Sequence, residues 1–250
     1  MTVDIPRITV EIWSDISCPW CYIGKARFAR ALDDFPQRAQ VDIVHRSFEL
    51  DARLDHTAAT TSPEHARKYG MTPAQARAAE ENLGRLAEAE GLAYAVDARD
   101  HGNTFDLHRL LHLAGAHGRR AELLDLLYAA NFASDRSVYE TSRQAELAAA
   151  AGLDADEVQT VLADPTAFAA EVRAEEADAA ALGITGVPFF VIDRTYGISG
   201  AQSPEVFSEA LSRAWTDKAP TLTTVGQAVD AACGPDGACE YPAGAGAASD

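Results

Sequence analysis

Long apolar runs are missing from this 250-residue chain, and no stretch approaches the roughly 20 residues needed to span a bilayer. Met1 to Val10 lacks a basic segment followed by an apolar one, so no secretory signal is read there and a cytoplasmic location is expected. Basic residues are scarce: 21 Lys and Arg stand against 38 Asp and Glu, a formal net charge of −17. That excess repels phosphate backbones and anionic lipid, and the densest basic point, Arg119-Arg120, is too small to offset it. Neither nucleic acid nor membrane is an expected partner. Cysteine is rare as well. Four of them in a chain this long do not make a disulfide framework, which leaves catalysis, redox sensing or metal binding.

What is present divides into two textures. Ile8, Val10 and Ile12 alternate with Thr9 and Glu11, the two-residue period of a strand. Lys25 to Leu32 has helical spacing, and Val41, Ile43 and His45 share one face of a second strand. Strand, helix and strand within about 45 residues make a βαβ unit with parallel strands. From Ser62 to Leu182 the chain is rich in Ala, Leu, Glu and Arg. Ser62-Pro63, Asp164-Pro165 and the capping box Thr72-Pro73-Ala74-Gln75 read there as helix starts. No strand pattern competes. Gly183 then closes a helix, Val187 to Ile192 is a short apolar strand, Asp193-Arg194 is a turn, and Tyr196 to Ser199 can pair back as a hairpin. Ser203-Pro204 opens a last helix carrying Val206, Phe207 and Leu211.

The expected fold class is therefore α/β, a βαβ half and an αββα half with a helical insertion between them. The domain limits that follow are residues 1–60 and 183–215 for the α/β part and 61–182 for the insertion. Residues 216–250, rich in Ala, Gly and Pro, read as a flexible C-terminal tail holding a cysteine pair.

Cys18-Pro19-Trp20-Cys21 sits where the first strand meets the first helix. Cysteines three apart on a helix share a face at a separation a disulfide can bridge. Cys18 falls at the N-cap and Pro19 in the first turn, where free amides and the helix dipole favour a thiolate. Cys21, one turn in, is expected to be more buried and to resolve the mixed disulfide. The competing reading is half of a zinc site. It needs a second ligand pair, and the only other cysteines, Cys233 and Cys239, lie in the tail. Gly186-Val187-Pro188 adds a proline at the start of an apolar strand. A cis bond there would offer Val187 backbone groups to an extended substrate, whereas a trans proline would merely begin an edge strand.

Ser14-Asp15-Ile16-Ser17-Cys18-Pro19-Trp20-Cys21 with Gly24-Lys25, together with Gly183 to Phe190, resembles the DsbA-like thioredoxin superfamily, and within it the FrnE-type oxidoreductases. These are similar to 2-hydroxychromene-2-carboxylate isomerases and kappa-class glutathione transferases. The resemblance runs from about Ile8 to Trp215. It implies a thioredoxin fold with a helical insertion, Cys18 as attacking thiol, Cys21 as resolving thiol and Pro188 as the cis-proline. It also makes Pro19, Trp20, Val187, Asn103 and His108 candidate substrate-binding residues. One departure matters: strongly oxidising members carry histidine between the cysteines, where this chain has Trp20. An indole supplies no cation, so a less depressed Cys18 and a more reducing couple are expected.

Several residues stay open. Asp15 or Glu11 could shuttle the Cys21 proton if burial raised its pKa. His108 and His112 lie four apart on a helix, a metal-compatible spacing, but without a third ligand they read as a polar edge lining a groove. No metal or cofactor is expected. Cys233 and Cys239 could relay electrons to Cys18, sense redox state or form a local staple. The leading function is a protein disulfide reductase or isomerase acting on protein or peptide dithiols and disulfides. The alternatives are a glutathione-dependent small-molecule isomerase or transferase, and a redox-sensing or holdase-like module without turnover.

Overall fold

The computed structural model describes residues 6–55, 60–61, 66–68, 70–96, 100–133 and 137–218. The expectations for Ser62-Pro63 and for Cys233 and Cys239 lie outside these residues. The sheet has the order β2-β1-β5-β6, with β1 Ile8–Ser14, β2 Val41–Ser47, β5 Phe189–Ile192 and β6 Tyr196–Ser199. β1 and β2 run parallel, Ile8 opposite Val41 through Ser14 opposite Ser47, and α1 (Pro19–Asp33) makes the crossover. β5 pairs antiparallel with β1 on its other side. The β5–β6 turn places Asp193 and Arg194 at φ 49° and 53°, the left-handed pair of a type I′ hairpin. Asp193 also extends the ladder: its amide donates to the Thr9 carbonyl and its carboxylate accepts from the Thr9 amide, both at 2.9 Å.

Between β2 and β5 come the short pair β3 (Thr60–Thr61) and β4 (Asp100–His101), and the helices α2 (Pro73–Ala89), α3 (Phe105–Ala116), α4 (Arg120–Ala133), α5 (Thr141–Ala150), α6 (Ala155–Ala163) and α7 (Ala169–Ala181). The fold is the thioredoxin fold with a helical insertion. α8 (Pro204–Lys218) closes it. The capping box at Thr72 is formed in both directions with Gln75. Two expectations need correction. The region is not purely helical, because β3 and β4 pair within it. Asp164-Pro165 opens a turn, with the Asp164 carboxylate bonding the Thr166 amide at 2.9 Å, and α7 starts only at Ala169.

The apolar phase of β1 packs Ile8, Val10 and Ile12 with Phe28, Phe190, Phe207 and Leu211 under α1 and α8. Phe190 and Phe207 meet edge to face at 4.6 Å between ring centres. β1 is an interior strand covered on both faces, and on its other phase Trp13 packs with Ala179, Ile184 and Val191. Glu11 is buried and bound by Arg46 (2.7 Å) and Arg194. A second core lies in the insertion and takes in both motif cysteines with Leu107, Leu110, Tyr128 and Phe132.

Insertion and sheet are joined through Glu175 on α7. Its carboxylate accepts from the Ser47 amide at 2.6 Å and from Arg120 at 3.0 Å, and lies 3.2 Å from both Arg46 and His112. Its main-chain carbonyl accepts from the Trp13 indole at 2.9 Å. Burial alone would raise this carboxyl, but His112, Arg120 and the Ser47 amide hold it far below the ordinary carboxylate range. The unfolded chain therefore takes up this proton first, near 4.5. The contribution is full above that pH and is lost as pH falls through the folded value. Glu175→Ala, which leaves two guanidinium groups facing a void, is expected to cost about 3 kcal/mol by denaturant unfolding at neutral pH. The difference from the parent should shrink as the medium is acidified below about pH 4.

Candidate active site

Asp15, Ile16 and Ser17 carry the chain from β1 into α1. Cys18 is the N-cap, with extended φ −88° and ψ 112°, and Pro19 opens the helix. No side chain caps the first turn, so its amides are turned toward the Cys18 end. The Cys18 amide donates to the Asp15 carbonyl at 3.1 Å, and the Cys18 carbonyl accepts from Cys21 at 3.1 Å. Asn131 on α4 fixes the loop from beneath, donating to the Ile16 carbonyl at 2.8 Å. Tyr22 stacks on Phe132, with centres 5.2 Å apart and planes at 12°.

Gly24 sets the distance to the opposite wall. A Cβ built there would sit 3.0 Å from the Pro188 ring and 3.2 Å from Ala201. The absent side chain lets α1 lie against the start of β5. The Val187–Pro188 peptide bond is cis, and the Cys18 thiol donates to the Val187 carbonyl at 3.5 Å. Val187 and Pro188 thus face Cys18 across the site.

Both sulfurs belong to free cysteines. Cys18 is 3% exposed and Cys21 2%, so the expected difference in burial is absent. Their electrostatics differ instead. A hydrogen bond from the Cys21 thiol, helped by the Cys21 and Trp20 amides, brings Cys18 below the ordinary thiol value despite burial and the nearby charge of Asp15. Burial raises Cys21 well above it, reinforced by Cys18 and by Asp15. Two thiols on one helical turn are thereby separated into one poised to ionise and one held as the acid.

Asp15 does not have the raised pKa that the shuttle role was expected to need. Asp15 is buried, which raises its carboxyl, but His108 and the amides of Leu50 (2.7 Å) and Ser17 (3.2 Å) pull it below the ordinary value. Glu11 is committed to Arg46 and Arg194.

The substrate-binding candidates separate. Pro19, with Asp15, Ser17, Leu50, Leu54 and Thr104, lines a cavity of about 260 Å³ beside the motif. Trp20 is 41% exposed and is not among the residues lining that cavity. Asn103 and His108 were expected to line the groove and do not. The Asn103 side chain is buried, donating to Glu49 (3.2 Å) and the Leu54 carbonyl (3.3 Å) and accepting from the Phe105 amide (2.8 Å), which sets the start of α3. His108 is 1% exposed, with Nε2 3.6 Å from Asp15 Oδ1. His112, one turn on, belongs to Glu175 instead. Among the described residues no group of three His, Cys, Asp or Glu side chains could hold a metal ion, and no helix is long and apolar enough to cross a membrane.

A family model described as the DsbA-like thioredoxin domain matches residues 9–212. The chain belongs to the DsbA-like thioredoxin family. As a DsbA-like protein it is a thiol–disulfide oxidoreductase. It is 56% identical to a "probable DsbA oxidoreductase" of Streptomyces coelicolor, whose crystal structure superposes with a TM-score of 0.83 over 94% of this chain and 100% of that one. It is also 26% identical to the uncharacterized protein YwbO of Bacillus subtilis, over 82% of this chain and 96% of that protein. The fold is shared with the cytosolic disulfide reductase DsbM of Pseudomonas aeruginosa, solved with GSH. That match has a TM-score of 0.59 and 19% identity, over 83% of this chain and 99% of that one.

In this DsbA-like site the charge of Asp15 opposes ionisation of both thiols. Asp15→Asn keeps an acceptor oxygen for one of the Leu50 and Ser17 amides and removes that charge. The Cys18 midpoint, followed by ultraviolet thiolate absorbance, is expected to move down. A midpoint unchanged or raised contradicts this account.

Proposed function

We infer that the chain reduces or isomerises disulfides in protein or peptide substrates through a mixed disulfide at Cys18. The opposite displacement of the two thiols supports this reading most directly. The Cys18 thiolate attacks a substrate disulfide, and one substrate sulfur leaves with the bond's electron pair. Cys21 then attacks Cys18 Sγ and the second substrate sulfur leaves as a thiolate. The substrate gains two electrons and Cys18–Cys21 becomes a disulfide, which a low-molecular-weight thiol or a dithiol protein must reduce to close the cycle. In isomerisation another substrate cysteine attacks the mixed disulfide before Cys21 does.

Val187 and Pro188 flank Cys18 and serve in this reading as the wall against which an extended substrate segment lies, with Pro19 and exposed Trp20 on the other side. Trp20 gives the site no cation, which favours a couple more reducing than a histidine-bearing motif. Glutathione, present in the DsbM structure, is the candidate low-molecular-weight partner. Asp15, Asp51 and Glu80 on the cavity beside Pro19 oppose its carboxylates there, so protein disulfides are preferred over a small-molecule isomerase or transferase reaction.

Cys18→Ser is expected to abolish insulin reduction, and Cys21→Ser to accumulate a covalent mixed disulfide seen by non-reducing electrophoresis and mass spectrometry. Reactivation of scrambled ribonuclease separates isomerase from reductase. Glutathione binding by a chain that leaves both protein substrates untouched would overturn this reading in favour of the small-molecule one.

A further inference from the structure

His108 is a buried imidazole for which the exchange cycle above has no use. Among the described residues neither of its ring nitrogens has a hydrogen-bond partner. A neutral imidazole holds one N–H and one free lone pair, and leaving both unmatched inside a protein is unfavourable unless the group has a charged neighbour or a proton to exchange. Its neighbour is the Asp15 carboxylate, 3.6 Å from Nε2. Asp15 precedes the motif by three residues, its amide bonds the Cys21 sulfur, and it lines the cavity beside Pro19. The imidazole therefore stands behind the carboxylate of the residue whose amide bonds the buried thiol and whose side chain lines the cavity.

Resting on the exchange mechanism, we propose that His108 is a positioning residue acting through Asp15: the Asp15–His108 pair receives the Cys21 proton during resolution, and the imidazole is where that proton is held. In this step the Cys21 S–H bond breaks and its proton ends on a His108 ring nitrogen. Cys21 Sγ bonds to Cys18 Sγ, the Cys18–substrate bond breaks, and the substrate sulfur leaves as a thiolate with that electron pair. The proton then returns to solvent past Asp15 through the cavity.

Asp15 alone is a poor acceptor, because its amide bonds and the histidine favour its ionised form. An imidazole next to a fixed carboxylate is a better one, since protonation creates an ion pair instead of erasing a charge. The other titratable groups facing this point are few. Cys18 and Cys21 come from α1, and Tyr128 from α4, its phenol held neutral by burial. Glu49 follows β2 and is bound by Arg173 of α7, which also takes Glu176. Glu49 carries its own guanidinium, so the charge most directly opposite His108 is that of Asp15.

The test uses 5,5′-dithiobis(2-nitrobenzoate) on reduced protein bearing Cys233→Ser and Cys239→Ser. The first thionitrobenzoate released reports attack by Cys18 and the second reports resolution by Cys21. In His108→Gln the second phase is expected to slow by about ten-fold or more relative to the first at neutral pH. It should then rise in proportion to hydroxide and approach the parent's rate in alkali. Both phases falling by one common factor at every pH would indicate a structural role and overturn the proposal. A parent protein showing no first phase would instead refute the exchange reading itself. Should His108→Gln not fold, labelled-histidine NMR of the parent decides: the His108 ring signals are expected to differ between the reduced and the oxidised protein, and ring signals identical in the two states would overturn the proposal.

Discussion

β1 is covered on both faces, and the charged side chains on its second face must find partners inside the protein. An interior strand between a parallel and an antiparallel neighbour cannot turn one phase to water once a helix lies over each side. Glu11 is matched by Arg46 and Arg194, and Arg46 also reaches Glu175, which gathers Arg120, His112 and the Ser47 amide. The network ties the sheet to α3, α4 and α7. Because β1 runs directly into Asp15 and Cys18, anchoring the strand also anchors the motif.

The motif is then gripped from three directions. Asn131 holds the Ile16 carbonyl, the Leu50 and Ser17 amides hold Asp15, and Gly24 admits Pro188. The asymmetry of the thiols follows from this placement and not from exposure, since both are covered. Cys18 has the turn's amides and the Cys21 thiol as donors, whereas Cys21 has apolar neighbours and two negative partners. A side-chain motif has become two chemically distinct groups through the Cys21 thiol and the turn's amides on one side and burial on the other.

The elements whose signal is local were legible in the sequence. The N-cap position of Cys18, the capping box at Thr72, the turn at Asp193-Arg194 and the four strands of the main sheet all depend on neighbours a few residues apart. Long-range matters were not legible. The two arginines that bind Glu11, 35 and 183 residues away, cannot be seen from the strand. Asn103 and His108 looked like groove residues, and both are buried beside residues distant in sequence, Asn103 against Glu49 and Leu54 and His108 against Asp15. Arg109 is the sharpest case: fully buried, it donates to the carbonyls of Val161 (2.6 Å), Asp164 (2.7 Å) and Ala167 (3.1 Å), closing the end of α6. A lone arginine among leucines on one helix gives no hint that it caps another.

Gly24 has a consequence for how such a site can drift. The gap between the cysteine helix and the proline wall is set by backbone against ring, with no side chain to adjust it. Trp20, exposed at the start of the same helix, meets no such limit. Two residues four apart on one helix are thus under unlike constraints. Position 20 is a dial by which the couple can be retuned, and position 24 is part of the gauge that keeps the two walls in step.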